Sequence, residues 1–433
     1  MQISWKRATD IKPKGKLTLF GKGISPDDII QGGVGNCWFM AAASAVAGVD
    51  PGLVKKAFLN TSNQLNAAGI YAVDLYTLGV PHTVVVDDFM PRSLGDDDVS
   101  IENAFANVAT GDQSMWGAIL EKAFAKLVGN YMHTAGGQPS GGVRRIVGGP
   151  FELHTHTGKS ADALWKELVA HEGKKDIINC GTGGGNDTVT NKDGLTMGHA
   201  FTVLGTHTLS NKQRLVKIRN PWGVETFKGA WSDSSAKWTD KLKKEVGLKA
   251  TKKDGIFWMA VEDFATQFEE THINYNTAGM SNASFVRLND DKTGAVDCAT
   301  KSAKCGRHTL TLKSAVDQTV WITAHTWDAR TLPTKCQTKK GRHMVFLEDQ
   351  YKDTWEETHD EFYSGSYQFE AIKVKANEPW TIHGDWNWAD ANYSPDWSVV
   401  AWGDKGGLLT LTHLKGLASD KLPLLARQGG AKA

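Results

Sequence analysis

The rhythm of hydrophobic and polar positions changes several times along the chain. After Gly35 the run CWFMAAASAVAGV is apolar almost throughout and stops before Asp50-Pro51, which predicts a buried helix starting at Cys37. Pro51 opens a second short helix through Phe58. β-branched runs at Tyr71 to Leu78 and His82 to Val86 predict a hairpin turning at Gly79-Val80-Pro81. Trp116, Ile119, Leu120, Ala123, Phe124 and Leu127 fall at helical spacing, with Gly129-Asn130 as the C-terminal stop. The glycine-rich stretch GGQPSGGVRRIVGG, residues 136–149, reads as a hinge, a ligand-wrapping loop or a surface linker. One helix, near Ser160 to Glu172, precedes a strand-rich region in which MGHAFTVLGT and RLVKIRN flank the turn residues Ser210 and Asn211. From Asn276 to about His413 come eight strand-like runs with turn signals between them and no helical period: ASFVRL, HTLTLK, QTVWITAHTW, HMVFLE, FEAIKVKA, PWTIHGD, WSVVAW and GLLTLT. That pattern predicts an all-β sandwich followed by a loose tail.

Composition narrows the function. The chain has 433 residues, so roughly three compact units are expected at about 150 residues each. Lys+Arg total 49 against Asp+Glu 48, a balance that gives no support for nucleic acid or an anionic membrane as partner. The longest nearly apolar run, Cys37 to Val49, is too short for the about 20 residues a membrane helix needs, so no integral membrane segment is expected. Five cysteines and an N-terminus without an apolar core predict reduced thiols and a cytoplasmic protein, or one exported without a cleaved leader. Cys298 and Cys305 have no zinc-site spacing, and Cys180 reads as a core thiol. The acidic, aromatic segment Asp385 to Asp396 reads as a loop with buried Trp sooner than a cation site.

The chemistry gathers around Cys37. A thiol at a helix N-terminus feels the positive end of the helix dipole, which favours thiolate. Gln31 lies six residues upstream, and its amide together with the Cys37 backbone N–H can hold a developing oxyanion. His199 opens one strand and Asn220 closes the next, so a hairpin turning near Ser210-Asn211 brings the two into approximate cross-strand register. An Asn amide oxygen can then orient the imidazole toward the thiolate. Trp222 is placed to cover that hydrogen bond. Cys, His and Asn in this order, with an upstream Gln, match the papain-type arrangement.

The segments that carry these residues resemble the calpain family of cysteine proteases. Calpains carry a QGxxGDCW motif, and this chain has Gln31-Gly32-Gly33-Val34-Gly35-Asn36-Cys37-Trp38. Their histidine segment is similar to Gly198-His199-Ala200-Phe201-Thr202-Val203, and their RNPWG segment is intact from Arg219 to Gly223. Ser4 to Arg7, Val84 to Asp88, Trp116 to Tyr131 and Phe257 to Met259 add to a likeness that runs from about Ile3 to Tyr275. The resemblance implies an α+β, papain-like protease core of two subdomains, 1–138 with the catalytic Cys and 139–275 with the catalytic His and Asn. A β-sandwich domain (276–415) and a tail (416–433) would follow. It also implies an endopeptidase making limited cuts in protein or peptide substrates and needing no organic cofactor. The alternatives are a non-catalytic calpain-like scaffold or binding protein, and another Cys-His acyl-transfer enzyme such as a transglutaminase or amidase.

The chain departs from the family where calcium is concerned. The resemblance implies one calcium site in each subdomain. The first would use Asp28 with carbonyls at Gly21 and Gly23, plus an acidic residue of the glycine-rich stretch. Those acidic positions are here Gly141, Arg144 and Arg145. At the second site Asp233 and Asp254 match family ligands, but the other two positions are Thr226 and Ile256, with Glu225 adjacent to substitute. Calcium favours six to eight oxygen ligands, usually with several carboxylates. Weak or absent calcium dependence is therefore expected, with Arg144 or Arg145 pairing with Asp28 or a neighbour in place of the cation. The EF-hand pattern D-x-[DN]-x-[DN]-G is absent.

Overall fold

The computed structural model describes residues 3–7, 10, 16–93, 105–108, 114–248, 254–287, 307–326, 330, 341–348, 354–359, 366–368, 371–388 and 397–413. The tail, Cys298, Cys305 and most of the Asp385 to Asp396 segment lie outside the described residues. Contacts divide the chain into two units, residues 1–278 and 279–433.

The first unit is built around helix α1 (Cys37–Val49), whose residues from Cys37 to Ala47 are all buried. A helix that is apolar on every side must be enclosed. Helix α2 (Pro51–Ala57) follows at once, its start capped by Asp50, which accepts from Gly52 N. Helix α3 (Trp116–Leu127) lays Phe124 against Phe39 with ring centroids 4.3 Å apart. Beside these helices lies the hairpin Ile70–Thr77 and Val80–Asp87. Its turn is Leu78-Gly79, both with positive φ (50° and 68°), so Val80 and Pro81 are strand residues and not turn residues as expected. Two positive φ values make the tight turn that matches strand twist, and Gly79 meets that demand without strain.

The glycine-rich stretch also departs from expectation. Residues Pro139–Val147 form helix α4, with Val143, Ile146 and Val147 buried at helical spacing. Its glycines permit close packing and not hinge motion. A Cβ on Gly142 would stand 2.8 Å from Ala42 Cβ and 3.0 Å from Trp38 O. Helix α4 therefore packs on α1 at a distance that a larger residue forbids.

The rest of the unit carries an antiparallel six-stranded sheet. Its order is Ile256–Ala260, Arg214–Arg219, Ala200–Thr208, Ile177–Gly181, Glu270–Asn274, Phe151–Thr155. Cys180 is fully buried in it. Helix α5 (Ala161–Gly173) is capped by Ser160, as its sequence suggests. Helices α6 (Asp240–Val246) and α7 (Val261–Gln267) correct the reading of this region as one helix and strands. The sheet is joined to α1 by Thr202, whose Oγ1 donates to Ala41 O at 2.7 Å.

The second unit consists of two antiparallel sheets. One runs Ser281–Arg287, Trp397–Gly403, Gln318–Thr326, Ser366–Gln368, with Ile372–Val374 also on Gln318–Thr326. The other runs Thr354–His359, Gly341–Glu348, Trp380–Trp388, Arg307–Ser314, Leu409–His413. Thr354–His359 and Ser366–Gln368 are strands beyond the eight expected. Leu310, Leu312 and Ile382 of one sheet share a single hydrophobic cluster with Val320, Ile322, Val399 and Ala401 of the other.

Candidate active site

Cys37 is the first residue of α1 and is 8 % exposed. Asn36, at the N-cap, makes no side-chain cap; its Nδ2 instead donates to the buried Glu121 Oε1 at 2.7 Å. Glu121 Oε2 also accepts from Ala106 N at 2.8 Å. Burial outweighs these two bonds and pushes the Glu121 carboxyl up to about 7. This carboxylate thus fixes the turn in front of the thiol, a role the sequence reading did not give to Asn36 or Glu121.

His199 is buried, and its Nε2 lies 2.9 Å from Asn220 Oδ1. Asn220 Oδ1 also accepts from Trp222 N at 3.0 Å. An oxygen accepting from both sides sets His199 as an Nε2–H donor and turns Nδ1 toward the thiol. The strands do not put the two residues directly opposite. Arg219 pairs with Thr202 and Ile218 with Val203, with a register shift between Lys217 and Ile218, so His199 and Asn220 meet through side chains beyond the last paired residues. The half-buried Trp222 ring packs on the imidazole with centroids 4.8 Å apart.

Gln31 is drawn to the same place from the other side. Its backbone N donates to Pro221 O at 2.8 Å, and Arg219 Nη2 donates to Ile29 O at 2.6 Å. These two bonds zip the Gln31 segment to the Asn220 turn. Gln31 Nε2 donates to Val34 O (2.9 Å) and Asp187 Oδ2 (3.4 Å).

Asp187 is the residue that sequence reasoning missed. Its Oδ1 forms an ion pair with His199 Nδ1. Asp187 has φ 65°, a conformation that Asp tolerates better than most residues, and its N donates to Met197 O. One ligand-type atom each from Cys37, Asp187 and His199 lie within 4.8 Å of one another. Burial pulls the His199 pKa down, but Asp187 and Cys37 outweigh it and raise it to about 9. At neutral pH the imidazole is therefore held protonated beside the thiol.

Asp28 and Asp254, two of the candidate calcium ligands, accept hydrogen bonds within the protein. Asp28 is buried, and its Oδ2 accepts from Ser25 N (2.9 Å) and Trp116 Nε1 (2.7 Å). Asp254 Oδ1 accepts from Ile256 N, and Glu225 Oε1 accepts from Asp233 N. Arg145 donates to Tyr76 O, and Arg144 lies over the Phe151 ring, 5.0 Å from its centroid. The buried Arg219 guanidinium is the positive charge that Asp27, Asp254 and Asp28 face. Gly23 is open, with nothing near a Cβ placed there. None of Asp28, Asp233 and Asp254 joins a cluster of three acidic, His or Cys side chains among the described residues.

Comparison with known proteins decides the family. Residues 1–275 match the family model described as calpain family cysteine protease. The chain belongs to the calpain family. It is 35 % identical to human calpain-14 over 271 residues, 62 % of this chain and 38 % of that protein. The human calpain-1 catalytic subunit is 31 % identical over 280 residues, 63 % of this chain and 38 % of that subunit. The calpain-type cysteine protease DEK1 of Arabidopsis thaliana is 31 % identical over 263 residues, 59 % of this chain and 12 % of that protein. The chain thus spans well under half the length of these calpains.

Proposed function

We propose that this calpain-family chain is a papain-type cysteine endopeptidase that makes limited cuts in proteins. The observation that carries it is His199 held at Nε2 by Asn220 while its other side faces the Cys37, Asp187 cluster. Cys37 is then the nucleophile. Its thiolate attacks the peptide carbonyl carbon, and the carbonyl oxygen becomes an oxyanion held by Gln31 Nε2–H and the Cys37 backbone N–H. His199 gives its Nδ1 proton to the leaving amine as the C–N bond breaks, leaving a thioester. A water that loses its proton to His199 cleaves the thioester and restores the thiolate. Asn220 orients the ring, and Trp222 keeps water from the His199–Asn220 bond. Asp187 occupies Gln31 Nε2 in this structure, so an entering carbonyl displaces it from that amide.

Calcium has no step in this mechanism. Asp28 and Asp254 accept bonds from Ser25, Trp116 and Ile256, while bonds from Thr202 to Ala41, from Gln31 to Pro221 and from Arg219 to Ile29 join the Cys37 and His199 halves directly. Alignment without calcium is the reading they support. The shared core of the two C-terminal sheets supports a β-sandwich. No described helix is long and apolar enough to cross a membrane. Two buried free thiols, Cys37 and Cys180, agree with work in the cytoplasm. The test is cleavage of an unfolded protein such as casein by wild type and Cys37→Ala. Cleavage by wild type alone is expected. Equal cleavage by the variant, or none by a folded wild type, overturns the proposal.

A further inference from the structure

A peptidase needs its cysteine and histidine, but the third member of the cluster, Asp187, has no step in peptide cleavage. Its place gives the cluster a second chemistry. Cys37 offers a soft thiolate, His199 an imidazole and Asp187 a carboxylate, with one ligand atom of each within 4.8 Å of the others. Zinc binds such atoms at about 2.0–2.3 Å in a tetrahedron, which sets neighbouring ligand atoms roughly 3–4 Å apart. His199 Nδ1 and Asp187 Oδ1, now in direct contact, part to that spacing when the ion enters between them. We propose that Cys37, His199 and Asp187 form a zinc site in the cleft, with a fourth position left for water or a substrate atom.

Outer partners are already in place for the two ligands that need orienting. His199 Nε2–H is committed to Asn220 Oδ1, so the lone pair that remains for a metal is on Nδ1, the atom beside Asp187. Asp187 Oδ2 accepts from Gln31 Nε2, which leaves Oδ1 to ligate. Partners of this kind fix tautomer and ring angle at zinc sites. The donor set is chosen for zinc and against calcium or magnesium, which prefer oxygen alone. Binding takes the place of the Nδ1 proton and of any proton on the Cys37 sulfur, which leave to solvent, and the sulfur ligates as thiolate. The bound state cannot attack a carbonyl, so zinc is a reversible inhibitor that uses the catalytic pair. The site depends on the placement of three side chains and not on the peptidase reading being right.

The experiment is a direct zinc titration of the full chain by competition with a chromophoric chelator. Cobalt(II) substitution then reports a thiolate-to-metal charge-transfer band. Wild type is expected to bind one zinc, with the band present in the cobalt form. Cys37→Ala is expected to abolish the band, and Asp187→Asn to weaken binding by roughly tenfold or more. Alkylation of Cys37 by iodoacetamide checks that Asp187→Asn keeps its fold, and zinc should protect the wild-type thiol from it. Undiminished binding in a folded Asp187→Asn, a cobalt complex without the thiolate band, or no binding by wild type overturns the proposal. Zinc binding without casein cleavage would sink the peptidase reading and leave the site standing.

Discussion

A buried imidazole ordinarily gives up its proton more readily than one in water, and His199 does the reverse. Its pKa is raised to about 9 because the carboxylate of Asp187 and the Cys37 thiol overcome burial. The stability this lends is fully present below the unfolded value of about 6.5 and is lost as pH rises through about 9. The pH–rate profile of casein cleavage should have its alkaline limb near pH 9. Asp187→Asn should move that limb down by roughly 1–3 pH units, the range over which a neighbouring opposite charge shifts a pKa. An unmoved limb would mean that Asp187 does not face the imidazole in solution. Gln31, Cys37, His199, Asn220 and Trp222 were all singled out in the sequence, and the structure gathers them in one place. Asp187 was not singled out. It is one acid in an exposed glycine-rich loop, and no periodicity or spacing ties it to His199; only the backbone path from Thr182 to His199 does so.

At the scale of elements, the same kind of residue carried two meanings. Glycines in residues 136–149 suggested flexibility, yet the structure uses Gly142 for contact between α4 and α1. The signal was present in the buried spacing of Val143, Ile146 and Val147, but composition masked it. Gly142→Leu should drive a side chain into Ala42 and the Trp38 carbonyl and cost about 1–3 kcal/mol, with urea unfolding as the measure. A variant as stable as wild type would show that α4 is free to move off α1. Helix α6 was missed although its ends carry signals, Thr239, which accepts from Leu242 N at the start, and Gly247, in the left-handed region at the end. Helix α7 follows its strand without a break and without a side-chain cap at Ala260, so its start was marked only by the first-turn acids Glu262 and Asp263. The hairpin that brings His199 near Asn220 was legible from its turn, and the register shift went unread although Gly205, the partner of Lys217 with φ 150°, is the strand glycine that marks it.

For the whole molecule, the question is what holds the Cys37 half and the His199 half in register. Within the first unit the answer lies in short-range bonds: Thr202 to Ala41, Gln31 to Pro221, and the buried Arg219 to Ile29. Arg219 also supplies a fixed positive charge among Asp27, Asp28 and Asp254. The departures from the acidic positions that the resemblance implies, at Gly141, Arg144, Arg145, Thr226 and Ile256, were read position by position. The bonds that join the two halves were not, because they link residues about 160–190 positions apart. The measurement that tests this most directly is Cys37-dependent casein cleavage in chelator and in calcium, side by side. Equal rates are predicted. Cleavage that appears only with calcium would show that the halves need a cation to align, and would contradict the assembly described.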